Sequence, residues 1–122
     1  ASDSRLKEDW QEIDGVLDKL SALTTGTFQW KNRSDKARSY GLVAQEVQVH
    51  FPEMISTDSQ GYLGIQYTEM VPVAVKAIQV LTQQVTELQS QVASLSASNA
   101  SLLESQASLM AWAKSQGFST SQ

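Results

Sequence analysis

Few residues in this chain could do covalent chemistry. Its 122 residues include no cysteine and one histidine, so thiol nucleophiles, disulfides and a zinc cluster of ordinary ligand spacing are not expected. Near the N-terminus a serine stands five residues before a lysine, Ser2 and Lys7, within the run Ser2, Asp3, Ser4, Arg5, Leu6, Lys7. Such a pair could attack a carbonyl, because a serine hydroxyl is a poor nucleophile until a neighbouring base takes its proton, and few other bases are nearby. The same spacing also describes a helix N-terminus with Ser2 outside it and Lys7 solvated. The single histidine, His50, precedes Phe51 and Pro52 at a helix end and reads as a packing or capping residue.

The elements that would position these residues follow from periodicity. Leu6, Trp10, Ile13, Val16, Leu17 and Leu20 recur at steps of three and four, predicting an amphipathic helix over 2–23 with Asp3 and Ser4 as N-cap candidates. The cluster Thr24, Thr25, Gly26, Thr27 reads as the turn that ends it. Thr27 to Trp30 reads as a strand, and 31–38 as an exposed loop carrying Lys31, Arg33, Lys36 and Arg38. A short helix should end near Phe51, because Pro52 pushes its predecessor out of the helical region. Tyr62 to Tyr67 suits a strand after the turn residues Asp58, Ser59 and Gly61. Trp10, Trp30, Tyr40, Phe51, Tyr62 and Tyr67 are expected in the core.

The last third carries a heptad repeat. Its a positions are Val71, Ile78, Val85, Val92, Asn99, Gln106 and Ala113; its d positions after Ala74 are Leu81, Leu88, Leu95, Leu102 and Leu109. A helix of this length reaches ~65 Å, more than a domain of this size can cover with its own core. Partner chains are expected to cover it. Asn99 and Gln106 place amides on the axis, which costs stability and fixes register. The flanking positions are mostly Thr, Gln and Ser, so charge pairing contributes little to partner choice. The expected class is α+β: a globular region over 1–69, a coiled-coil helix over 70–114 and a flexible tail over 115–122.

A net charge of −4 without a basic stripe argues against a nucleic-acid partner. No apolar run approaches the ~20 residues of a membrane span, and the start lacks a signal-peptide pattern.

Three motifs in order, Ser2–Leu23, Tyr40–Ile55 ("YGLVAQEVQVHFPEMI") and Gly61–Leu81 ("GYLGIQYTEMVPVAVKAIQVL"), resemble the intramolecular chaperone domains of phage endosialidases, tailspikes and tail fibres. A similar domain occurs in myelin regulatory factor. The resemblance implies a parallel homotrimer that assists folding of an upstream β-rich fibre and cuts itself free at the serine of an S-D-x-R-x-K motif. Carried onto this chain, Ser2 is the nucleophile, Lys7 the base, Asp3 and Arg5 supporting residues, and Ala1–Ser2 the scissile bond. This would be a single-turnover serine peptidase with no cofactor. Its partners would be copies of itself and the upstream fibre, with no nucleic acid and no membrane. It would act in the host cytoplasm during virion assembly and leave the mature fibre after cutting. A released domain would begin at Ser2, so either the Ala1–Ser2 bond is uncut or Ala1 is not native.

Lysine has an ordinary pKa of ~10.4, so a lysine base needs desolvation or nearby positive charge. The expected helix dipole and Arg5 would favour the neutral amine; Asp3, Glu8 and Asp9 oppose them, leaving burial by an assembled trimer as the decisive contribution. Gln45 and Glu46 are expected as polar contacts supporting the trimer. Branched a positions with Leu at d usually favour two strands, whereas the resemblance implies three, the globular part then setting the number. The alternatives are a trimerisation module that never cuts, and a membrane-tethered transcription-factor fragment, which the lack of a following membrane segment disfavours.

Overall fold

Helix and strand alternate along the computed structural model, which describes residues 1–118. A 3-10 turn (Ser4–Leu6) precedes α1 (Val16–Ser21), β1 (Thr25–Phe28), β2 (Ser39–Leu42), α2 (Ala44–His50), a second 3-10 turn (Pro52–Met54), β3 (Ile55–Thr57), β4 (Leu63–Ile65) and α3 (Tyr67–Ser115). The class is therefore α+β with a long helix. The chain forms two compact units, Ala1–Gln79 and Val80–Gln122.

The helix expected over 2–23 is reduced to α1. Asp9 (φ 55°) and Gly15 (φ 65°) both adopt left-handed backbone, which no right-handed helix can continue through. A period of three to four does not hold a helix unless its apolar face is covered, and Leu6 and Trp10 remain about three-quarters exposed, at 74% and 76%. Lys7 has extended backbone (φ −123°, ψ 144°), so the expected helix dipole does not act on it.

In the first unit β1 and β2 form an antiparallel hairpin, with Thr25 opposite Leu42 and Phe28 opposite Ser39. Thr25, Gly26 and Thr27 are thus strand residues instead of a turn, in keeping with the β preference of threonine. Gly41 lies where an added Cβ would come 2.8 Å from the Phe28 ring, so the missing side chain makes room for the aromatic. The loop between the strands is exposed, yet Arg38 donates from Nε to Thr27 Oγ1 and from Nη2 to the Thr27 carbonyl, both at 2.8 Å. This arginine closes the hairpin as well as meeting solvent.

The second hairpin pairs Ile55 with Ile65 and Thr57 with Leu63. Asp58 turns it by accepting from the Gln60 and Tyr62 amides at 2.9 Å, with Gly61 supplying a φ of 85°. Tyr67, expected to end the strand, opens α3 instead, and its hydroxyl accepts from the Leu42 amide at 3.2 Å.

Among the described residues, six form the buried core: Val16, Val47, Phe51, Met54, Val73 and Ala77. The Lys19 ammonium lies 5.4 Å from the Phe51 ring centroid. Of the aromatics expected in the core only Phe51 is there; Trp10, Trp30, Tyr40, Tyr62 and Tyr67 are exposed in the single chain. A core this small leaves too little enclosed volume for so many large rings.

Within the first unit α3 has two apolar faces. Val73 and Ala77, four residues apart, point into the core, whereas Val71, Val75 and Ile78 lie at the surface. The inward stripe uses positions that the heptad register does not, so fixing α3 to its own unit leaves the heptad face outward.

In the second unit the leucine seam is exposed throughout, from Leu81 (48%) to Leu102 (67%). The helix ends in a Schellman motif. Gly117 (φ 86°) donates to the Lys114 carbonyl at 3.1 Å, Phe118 donates to the Ala113 carbonyl at 3.0 Å, and the Phe118 ring stacks on Trp112 with centroids 6.4 Å apart. The tail expected over 115–122 thus begins in an ordered cap; its last four positions, 119–122, lie outside the described residues.

Glu46 accepts from the Thr24 amide at 2.7 Å and the Thr24 hydroxyl at 2.9 Å, joining the residues after α1 to the first turn of α2. It serves a fold-supporting contact within one chain. Truncating it leaves the Thr24 amide without its acceptor. Glu46→Ala is therefore expected to destabilise the first unit by about 1–2 kcal/mol in chemical denaturation, with helix content unchanged before the transition.

Candidate functional site

The candidate residues lie on the 3-10 turn at the start of the chain. Asp3 caps that turn, its Oδ1 accepting from the Arg5 amide at 2.9 Å. The Arg5 guanidinium grips the same carboxylate, with Nη2 2.8 Å from Oδ2 and Nε 3.1 Å from Oδ1. These contacts hold the Asp3 carboxyl below the usual carboxylate range, the Arg5 side chain being the larger cause and its amide the smaller. The cap is consequently present above the ordinary aspartate range and is lost only as pH falls through the lowered value.

The turn closes with the Leu6 amide donating to the Asp3 carbonyl at 3.0 Å and the Lys7 amide donating to the Ser4 carbonyl at 3.2 Å. That reversal carries Lys7 back toward Ser2, and Lys7 Nζ and Ser2 Oγ meet in a hydrogen bond. A charged amine donates in such a contact, whereas a neutral one accepts the serine proton, which is the arrangement a nucleophile and its base require. With Asp3 occupied by Arg5, the two ion pairs found among the described residues, Arg5–Asp3 and Lys76–Glu12, leave Lys7 outside them. Ala1, Ser2, Asp3, Arg5 and Lys7 are all exposed in the single chain.

Two features of the site had no expectation attached. The Lys7 ammonium lies over the Trp10 ring, 5.4 Å from its centroid. Glu12 is tied to Lys76 of α3 at 2.8 Å, fixing the far end of the segment that carries Lys7. The pairing lowers the Glu12 carboxyl and raises the Lys76 amine, in each case chiefly through the shared hydrogen bond. It is therefore complete between the ordinary carboxylate and lysine ranges, and is lost beyond the lowered and raised values. Sixty-four residues separate these partners, and periodicity carries no signal at that range.

The remaining predicted residues lie elsewhere. Ile78, Leu81, Val85, Leu88, Val92, Leu95, Leu102 and Leu109 form the exposed seam of α3, with Asn99 and Gln106 on the same helix. His50 is the last residue of α2.

The capped turn presenting a serine and a lysine, with α1, the first hairpin and α2 after it, lies in a segment that matches a described protein family. Residues 2–56 match a peptidase family described as chaperone of endosialidase. The chain is 31% identical over 94 residues to a long tail fiber protein, Gp37, of Enterobacteria phage M1, covering 70% of this chain and 38% of that protein. The same figures hold for Gp37 of Enterobacteria phage Ox2. Gp37 of Escherichia phage AR1 is 31% identical over 85 residues, 63% of this chain and 8% of that protein. The chain thus spans 38% or less of the length of these relatives.

Proposed function

We propose that this chain is a chaperone domain that gathers three copies of a fibre polypeptide through the α3 seam and then severs the bond before Ser2. The observation that carries the reading is the Ser2–Lys7 contact at the start of a family-matched segment. Neutral Lys7 takes the proton of Ser2 Oγ as the oxygen attacks the Ala1 carbonyl carbon. The carbon–nitrogen bond breaks, Lys7 returns the proton to the Ser2 amine, and Ala1 is left as an ester on Oγ. Water then hydrolyses the ester, freeing the Ala1 carboxylate and restoring the serine hydroxyl. No cofactor enters these steps.

Because the pair is exposed in one chain, exclusion of water from it requires neighbouring copies, which couples cutting to assembly. The outward seam supplies that assembly, since within the first unit α3 already commits Val73 and Ala77 to its own core. On this reading the upstream fibre is the client, cutting follows folding in the host cytoplasm, and the finished fibre leaves without the domain. The globular region sets three strands where the helix alone would accept two.

The test is the intact mass of a precursor carrying its upstream segment, measured before and after folding. Two products are expected, one ending in Ala1 and one beginning with Ser2. A precursor that reaches the mass of three chains and stays whole would instead identify a trimerisation module that does not cut. Precursor held as single chains by dilution should be cut at least about tenfold more slowly than assembled precursor, and equal rates would remove the coupling.

A further inference from the structure

We infer that Trp10 is a positioning residue for Lys7, its ring face holding the amine on Ser2 and stabilising the ammonium that forms when Lys7 takes the serine proton. This rests on the Ser2–Lys7 reading above. In extended chain, residues three apart point to opposite sides, with Cα atoms ~10 Å apart, so Trp10 would not reach Lys7. In a helix they would share a face, but this segment is not helical. The contact arises because Asp9 adopts φ 55°, the single positive φ outside glycine among the described residues. Aspartate tolerates that region better than most side chains, and Asp9 Oδ2 accepts from Gln11 Nε2 at 3.2 Å just beyond the bend. The segment is held on both sides of the bend, by the capped turn before Lys7 and by the Glu12–Lys76 pair after it.

The ring therefore reaches Nζ at 5.4 Å while remaining 76% exposed, so it contributes little to the core of its own unit. A lysine side chain has four rotatable carbons and loses much rotamer freedom when held in one place. An aromatic face limits that freedom without the full negative charge by which a carboxylate partner would hold the amine permanently protonated. The face also meets the positive charge that develops on Nζ during attack.

The experiment measures cutting rates of the assembled precursor with Trp10→Phe, Trp10→Tyr and Trp10→Leu, and with mono-, di- and trifluorinated tryptophan at position 10. Fluorination withdraws charge from the ring face while nearly preserving its shape. Phe and Tyr are expected to cut within about threefold of the parent, Leu about tenfold more slowly, and the fluorinated series progressively more slowly with each fluorine. A Leu variant as fast as the parent, or a fluorinated series of constant rate, overturns the inference; the latter reading stands even if the Leu variant fails to assemble. Ser2→Ala in the same precursor separates the two levels. If Ser2→Ala is still cut, the Ser2–Lys7 reading falls; if it is uncut while the Trp10 series is flat, only the role of Trp10 falls.

Discussion

Precursor bearing Ser2→Ala is expected to assemble normally and to remain uncut, its rate falling at least about a thousandfold, because the alanine methyl cannot form the ester. Lys7→Met should fall by a similar factor, since without the amine nothing nearby takes the serine proton. The two substitutions should not add when combined, as expected of groups that act as one unit. Both side chains are exposed and outside the core, so sedimentation mass and helix content should match the parent. Mass spectrometry of the folded precursor checks this directly, and cutting of Ser2→Ala at the parental rate would remove the mechanism while leaving the assembly role intact.

The second large effect concerns α3. Leu88 is 57% exposed in the single chain and sits at a d position midway along the seam. In the proposed three-chain bundle, Leu88→Ala would remove three side chains from one layer, each worth about 2 kcal/mol or more. The association constant should then fall by about four powers of ten, and Leu88→Asp, which brings three like charges together, should abolish assembly at micromolar concentration. Ser94→Asp, off the seam on the same helix, should change the mass little. If Leu88→Asp and Ser94→Asp behave alike, the seam is not where the chains meet.

How much of this could be read from residues alone depended on length of pattern. Seven a positions and six d positions repeat without a slip, and α3 spans that whole register. The N-terminal pattern looked similar but was short: Leu6, Trp10 and Ile13 keep a helical spacing while Asp9 and Gly15 turn the backbone left-handed. Glycine can signal such a bend in sequence, but an aspartate in that conformation leaves no mark. The three-residue strand β3 was missed because three residues set no period. Proximity of Ser2 and Lys7 did not require the helix that was expected, since the Asp3-capped turn achieves it in fewer residues. The Trp10 ring and the Glu46 clasp depended on bends and distant pairings, which no local pattern encodes.

The decisive measurement is the sedimentation-equilibrium mass of the purified chain at micromolar concentration. Three times the 13.4 kDa chain mass is the predicted value. A well-folded species of one chain mass, with α3 still fully helical, would contradict the claim that its leucine face is covered by copies of itself.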